Sequence, residues 1–431
     1  MLINISRFVI KNGIFLLVLA TPFIFSSQTT DVYLLIKTVI IQCFVLVLAI
    51  FWLIKMNEEG SFKPVKTPLN LTILIFFGIA AFSLLRAYNI HEGLKDLGEI
   101  LSYVVLFFVV ANNVEEDDVK RLIGLMIICG TLVSLYDIWQ NRGIDFTSPR
   151  DAHISTFGHP NFAAQYLLIV SPLTLSGLMA HKSAAKRSIY VFAFLVMLVF
   201  LLLTRTRGAW IALASSIFLM VGLIVLKRLK QKKKIITAKA GIIVLTICLI
   251  LSASIFLLPT KIQKKWVAPI AERVASTFDL QNYSNATRLR VWENTFRMIS
   301  DRPFFGVGIG NFKVVYPAYR SMAEYQATGS GIRYTKAHNE YLQIWSELGI
   351  IGFIVFIWIL FNLFRICRQL WLQAWDDCLH WMTLGLIGSI TATAVGAIFS
   401  SSLRVSTVAM SFWLVAGLTC VVYKKIAPEI R

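Results

Sequence analysis

The histidine at position 338 has the sequence surroundings that best fit a role in chemistry. It precedes an apolar run long enough to cross a membrane, and its polar neighbours are Asn339, Glu340, Tyr341 and Glu347. Ionisable groups are costly beside a membrane-embedded helix, so several of them at such a place indicate function. A histidine titrates near neutral pH and can take a proton from an attacking hydroxyl. His338 is therefore a candidate general base supported by these neighbours, and a histidine that merely anchors the chain at an interface is the alternative.

A second candidate site is the pair Arg205 and Arg207, which stands in a very short connection between two apolar runs. Two guanidinium groups held between hydrophobic helices need anions nearby, and arginine binds phosphate oxygens through two parallel hydrogen bonds. Other arginines expected on the same side of the membrane are Arg86, Arg142, Arg288 and Arg404. Together they could line one basic cavity that fits a lipid diphosphate. Interfacial anchoring of the arginines is the alternative.

Two further segments are weaker candidates. His159, Pro160 and Asn161 precede an apolar run, and this order is typical of the start of a helix with proline in its first turn. The glycines of Gly306 to Asn311 resemble a phosphate-binding loop, but no strand and helix of the required kind flank them. A turn that lets the backbone approach a neighbouring helix is the favoured interpretation.

The elements that position these residues are predicted to be transmembrane helices. The apolar share of the 431 residues is 57%, the charged share is 15% and the mean hydropathy is +0.70. A helix needs roughly 20 apolar residues to cross about 30 Å of hydrocarbon. We predict an all-α polytopic membrane protein with about twelve transmembrane helices. The predicted spans are 8–26, 33–54, 69–85, 98–112, 121–139, 162–180, 188–204, 208–226, 237–258, 340–364, 380–399 and 405–423.

The distribution of Lys and Arg among the short loops predicts the orientation of these helices. Basic residues are concentrated in alternate connections and at both ends of the chain, so both termini are predicted to be cytoplasmic. Three regions result: residues 1–258 with nine transmembrane helices, the large outer loop 259–338, and residues 339–431 with three transmembrane helices and a cytoplasmic tail. Two short helices are predicted inside the loop, at 264–278 and 287–299. The basic excess of the loop is also consistent with contacts to anionic membrane lipids.

Several function classes are not favoured. The net charge of +19 is mostly this topological signal, and no nucleic-acid-binding module is recognisable. The sequence has no D-x-D motif, and its acidic clusters, residues 115–118 and 376–377, lie on the predicted cytoplasmic side. We therefore predict no metal ion and no cofactor. A nucleotide-binding domain is also not recognisable, so a lipid-linked donor is favoured over a soluble nucleotide sugar.

The spacing around His338 resembles that of bacterial O-antigen ligases, within the O-antigen ligase and polymerase family. His338 and Asn339, then nine residues, Gly349, two residues and Gly352 match the pattern H-N-x9-G-x-x-G. The resemblance extends over about residues 150–425. It includes the T-R-x-R-G segment at residues 204–208, the R-x3-W segment from Arg288, the segment 301–312 and the H-P-N segment at residues 159–161. Phe353 and Phe356 stand where many ligases have threonine and tyrosine.

The resemblance implies transfer of a preassembled glycan from undecaprenyl diphosphate to a sugar of the lipid A core. The reaction would be metal-independent and inverting, and it would take place at the periplasmic face of the bacterial inner membrane. His338 would activate the acceptor hydroxyl, while Arg207 and Arg288, together with Arg205, would bind the diphosphate. Polymerases and protein O-oligosaccharyltransferases share the motif and remain alternatives. A transporter for the same lipid is less favoured because no internal repeat is recognisable.

Overall fold

The protein is helical throughout the part of the chain that its computed structural model describes. That part comprises residues 1–29, 31–62, 64–145, 150–230, 283–328, 334–373, 377–424 and 426. No strand occurs in these ranges, so the predicted all-α fold class is confirmed. The helices are α1 Leu2–Ala20, α2 Leu35–Glu58, α3 Asn70–Ser83, α4 Ile90–Asn113, α5 Glu116–Gln140, α6 Pro160–Ala180, α7 Ala184–Leu203, α8 Arg207–Lys230, α9 Tyr283–Asp301, α10 Phe312–Val315, α11 Met322–Thr328, α12 Glu340–Gln373, α13 Asp377–Phe399 and α14 Ser406–Tyr423.

Nine helices of the described ranges are long and apolar enough to cross a membrane, which makes this a multi-pass membrane protein. They are α1, α2, α5, α6, α7, α8, α12, α13 and α14. The predicted span 69–85 falls on α3, which is shorter than the nine helices above. The predicted span 98–112 falls on α4, whose first half carries charged residues. The predicted span 237–258 lies outside the described residues. The count of twelve, the outer loop and the orientation of the chain therefore remain predictions.

Helix α14 lies at the centre of the bundle and is buried along its whole length. It packs against α4, and α13 packs against α6 and α8. By contrast, α2 exposes large apolar side chains such as Leu46, Ile50 and Leu53. Such an exposed apolar surface suits hydrocarbon, in which a helix satisfies all its backbone hydrogen bonds internally. The site described below thus lies on helices that are fixed from several sides.

Helix α12 is bent at Gly349, where the backbone leaves the helical conformation with φ 68° and ψ −174°. A Cβ at this position would lie 2.1 Å from the carbonyl oxygen of Phe304, so only glycine fits. The bend leaves backbone groups of α12 free to form hydrogen bonds with residues 303–308, which overlap the glycine-rich segment Gly306 to Asn311. Gly308 N–H donates to Glu347 O at 2.9 Å, and Ile350 N–H donates to Pro303 O at 2.7 Å.

The glycine-rich segment is the close-approach turn that the sequence favoured, and that prediction is confirmed. Gly306, Gly308 and Gly310 all have positive φ, and a Cβ on Gly306 would lie 2.4 Å from the Glu347 backbone. The helix predicted at 287–299 is present as the longer α9. The helix predicted at 264–278 lies outside the described residues.

Candidate active site

A cavity of about 720 Å³ is lined by several of the candidate site residues predicted from the sequence. Its wall is formed by the segments before α2, α6, α12 and α14, by α4 and by the start of α12. Five nominated residues line it: His159, Asn161, His338, Glu347 and Arg404. The size is in the range of pockets that hold small organic groups, such as one or two sugar rings. This cavity is the candidate active site.

His338 adopts a left-handed backbone conformation with φ 54°, which is strained for a residue other than glycine. The preceding peptide groups hold it there. The indole N–H of Trp292 donates to Ala337 O at 3.1 Å, and Ala337 N–H donates to Gln343 Oε1 at 2.7 Å. Tyr334 packs its ring edge-on against the imidazole. Strain that is held in place by buried partners is typical of a functional position.

The R-x3-W segment of α9 contributes Trp292 to the contacts that hold the turn at His338. Arg288 and Trp292 are four residues apart, so they lie on the same face of the helix. Since Trp292 contacts the residue next to His338, Arg288 is brought close to the imidazole. Burial lowers the pKa of His338 to about 4, and the positive charges of Arg288 and Lys336 and the nearby His159 act in the same direction. The imidazole is therefore neutral at pH 7, the state in which it can accept a proton.

Arg404 binds three carboxylates at the inner end of the cavity. Its Nη1 donates to Asp96 Oδ2 at 2.7 Å, its Nη2 to Glu347 Oε2 at 2.6 Å and its Nε to Glu340 Oε1 at 3.4 Å. Glu340 and Glu347 are almost completely buried. Glu347 also accepts a hydrogen bond from Gln343 Nε2 at 2.9 Å. A continuous network thus runs from α4 through Arg404 to the residues that hold His338.

Four arginines were expected to line one basic cavity: Arg86, Arg142, Arg288 and Arg404. Only Arg404 of these four lines it, and acidic residues line it as well. Arg86 is exposed and lies over the ring of Phe305, and Arg142 is exposed at the end of α5. A position at the outer end of a helix does not determine where a long side chain points. The lining has equal numbers of acidic and basic residues: Asp31, Asp96, Glu99 and Glu347, and Lys95, Lys313, Lys336 and Arg404.

The T-R-x-R-G and H-P-N segments contact each other beside the cavity. Thr206 Oγ1 donates to Asn161 Oδ1 at 3.1 Å, and Asn161 N–H donates to His159 Nδ1 at 3.1 Å. The predicted helix start is confirmed, because α6 begins at Pro160 with His159 as its cap. Arg207 is buried at the first turn of α8, and Arg205 has φ 49°. Arg205, Arg207 and Arg288 are not among the residues that line the cavity.

Asn339 and Tyr341, which follow His338 in the sequence, form hydrogen bonds within the protein. Asn339 caps α12, since its Oδ1 accepts from Tyr341 N–H at 2.9 Å and from Leu342 N–H at 3.1 Å. The Tyr341 hydroxyl donates to Ala394 O on α13 at 2.8 Å. The sequence did not point to Asp96, Glu99, Lys336 and Gln343, whereas Trp292 was part of the R-x3-W segment. Asp96 and Glu99 were detectable, because acidic residues at the edge of a predicted apolar span are unusual.

Comparison with known proteins shows what part of this chain is similar to. Residues 192–357 match the family model described as O-antigen ligase, a range that includes Arg207, Arg288 and His338. The predicted resemblance to the O-antigen ligase family is confirmed. An uncharacterized protein of Haemophilus influenzae is 23% identical to this chain over 322 residues, which are 73% of this chain and 75% of that relative. The family match supports an enzyme with a glycosyl-transfer role of the ligase or polymerase type, acting on lipid-linked glycans in a membrane.

Proposed function

We propose that this protein is an O-antigen ligase that transfers a glycan from undecaprenyl diphosphate to a sugar of the lipid A core. The reaction takes place at the periplasmic face of the bacterial inner membrane, as the family resemblance implies. The observation that carries the proposal is a neutral, strained His338 in the wall of a cavity, within a segment that matches the O-antigen ligase model.

In the proposed reaction His338 accepts the proton of the acceptor hydroxyl. The hydroxyl oxygen attacks the anomeric carbon of the donor and forms the new glycosidic bond. At the same time the bond between that carbon and the diphosphate oxygen breaks, and the diphosphate leaves with the electron pair. A single displacement of this kind inverts the anomeric configuration. Arg288 and Arg207, with Arg205 beside them, would stabilise the negative charge that gathers on the leaving group.

Lipopolysaccharide from a strain that lacks the gene tests the reaction class. Without a ligase, the core should carry no O-antigen and the lipid-linked polymer should accumulate, and a plasmid copy of the gene should reverse both changes. Without a polymerase, the core should instead carry a single repeating unit. Normal surface lipopolysaccharide together with underglycosylated surface proteins would favour a protein O-oligosaccharyltransferase and contradict the proposal.

Conservative replacement of the arginines tests their proposed role. Arg207→Lys and Arg288→Lys should each lower the transfer rate by about tenfold or more, since a lysine point charge does not form two parallel hydrogen bonds with a diphosphate. Transfer by purified variants can be measured with a lipid-linked donor and purified core. Arg142→Lys, at an exposed position, is the matched control. Wild-type rates in either variant would show that the arginine is only a membrane anchor.

Metal independence is a further expectation. In the ranges that the structure describes, no group of three or more His, Cys, Asp or Glu side chains could hold a metal ion. The leaving diphosphate would be stabilised by arginine instead. Transfer by the purified protein should therefore continue at the same rate in excess EDTA. Loss of activity that magnesium or manganese restores would contradict this expectation.

A further inference from the structure

Lys336 is a cation of the cavity that the proposed reaction does not yet use. It precedes His338 by two residues and lines the same cavity. Its Nζ donates to the backbone carbonyl of Arg404 at 3.0 Å and lies 5.6 Å from the ring centre of Phe162. Neither of these groups carries a negative charge. An ammonium group has three N–H donors, and the Arg404 carbonyl takes one of them, so donors remain for a group bound in the cavity.

Two other cations that line the cavity are neutralised within the protein. Arg404 binds three carboxylates, and Lys313 donates to Glu92 Oε2 at 2.5 Å. Lys336, in contrast, forms no ion pair with any carboxylate of the described residues. Burial lowers the pKa of Lys336, and the positive charge of Arg404 lowers it further. The carboxylates of Glu340, Glu99 and Asp96 raise this pKa, but the net shift is downward. Holding a charged group in such a place is unfavourable unless an anion offsets it.

We propose that Lys336 binds a phosphoryl oxygen of a substrate in the cavity. This inference rests on the proposed function and adds a binding residue to the same site. Its position two residues from the proposed base limits the source of the phosphate to groups near the reacting sugars. One source is the diphosphate of the donor, and the other is a phosphate on the inner core or lipid A of the acceptor.

A binding experiment separates the two sources and does not depend on turnover. Full-length protein in detergent is titrated with undecaprenyl diphosphate without glycan and, separately, with purified lipid A core. Lys336→Gln should weaken the binding of one of these probes by about 10- to 100-fold, the loss expected for a charge-assisted hydrogen bond. The probe that is affected identifies the source. Lys336→Arg, which retains the positive charge, should bind that probe with less than about a tenfold loss.

Folding and nonspecific charge effects are controlled separately. Lys186→Gln makes the same charge change at an exposed position on α7 and should bind both probes normally. Thermal unfolding of Lys336→Gln shows whether the variant is folded; if it is not, Lys336→Met provides the same test with an apolar chain of similar length. Unchanged affinity of a folded Lys336 variant for both probes would overturn the inference. That result would leave the proposed transfer reaction intact, since His338 variants test that reaction independently.

Discussion

Replacing His338 with glutamine should lower the rate of glycan transfer by about 10²- to 10⁴-fold, the usual contribution of a positioned general base. Glutamine retains hydrogen bonding but does not titrate near neutral pH. The variant should still insert into membranes and bind the lipid-linked donor, because the contacts that hold the turn are made by the Ala337 peptide groups and not by the imidazole. Initial rates with purified protein and a binding measurement on the donor check both parts.

The matched control is His91→Gln, which changes an exposed histidine at the start of α4. It should transfer glycan at the wild-type rate. If His338→Gln restores full-length lipopolysaccharide at the wild-type rate in a strain lacking the gene, then His338 is a structural residue and another group must activate the acceptor.

The pH dependence of transfer provides a second test of His338. A base works only when deprotonated, so activity is lost as the pH falls through its pKa. With the pKa of His338 lowered to about 4, mainly by burial, kcat/KM should change little between pH 7 and pH 5. An ordinary histidine would have lost roughly 95% of its neutral form at pH 5. A drop of that size in kcat/KM would mean that burial does not lower the pKa of His338 in the free enzyme.

The helical architecture could be predicted from the sequence because lipid imposes a simple rule on it. A chain in hydrocarbon must form apolar helices of a minimum length, and hydropathy alone detects them. The rule is less decisive for α4, where Glu92, Asp96 and Glu99 interrupt the apolar pattern at one end. Asp96 and Glu99 line the cavity, and Glu92 binds Lys313, which also lines it, so these carboxylates lie in a polar region of the protein.

The site itself could be predicted only where its signals are local. The glycine spacing after His338 reflects a bend that only glycine fits, so the motif and the geometry at Gly349 agree. The partners that hold the site come from distant parts of the chain: Asp96 binds Arg404, 308 residues later, and Trp292 binds Ala337, 45 residues later. Such pairs depend on how helices pack, which hydropathy and spacing do not encode.

Removal of the guanidinium of Arg404 should have the largest effect on stability. Arg404→Met leaves the carboxylates of Asp96, Glu340 and Glu347 without their cation, and two of these are almost completely buried. Breaking a buried ion pair from one side typically costs about 3–5 kcal/mol, because the remaining charge stays desolvated. The variant should unfold at a clearly lower temperature in detergent and accumulate less in membranes. Arg86→Met is the control, since it removes an exposed arginine.

A second substitution shows whether uncompensated charge is the cause. Glu347→Gln removes one of the carboxylates that Arg404→Met strands, and the amide can still accept a hydrogen bond from Gln343. If charge causes the loss, the double variant Arg404→Met with Glu347→Gln should be more stable than Arg404→Met alone, although each single change destabilises the protein. The unfolding temperatures of the four proteins form a double-mutant cycle that measures this coupling. Additive losses would mean that Arg404 does not stabilise the fold through its contact with Glu347.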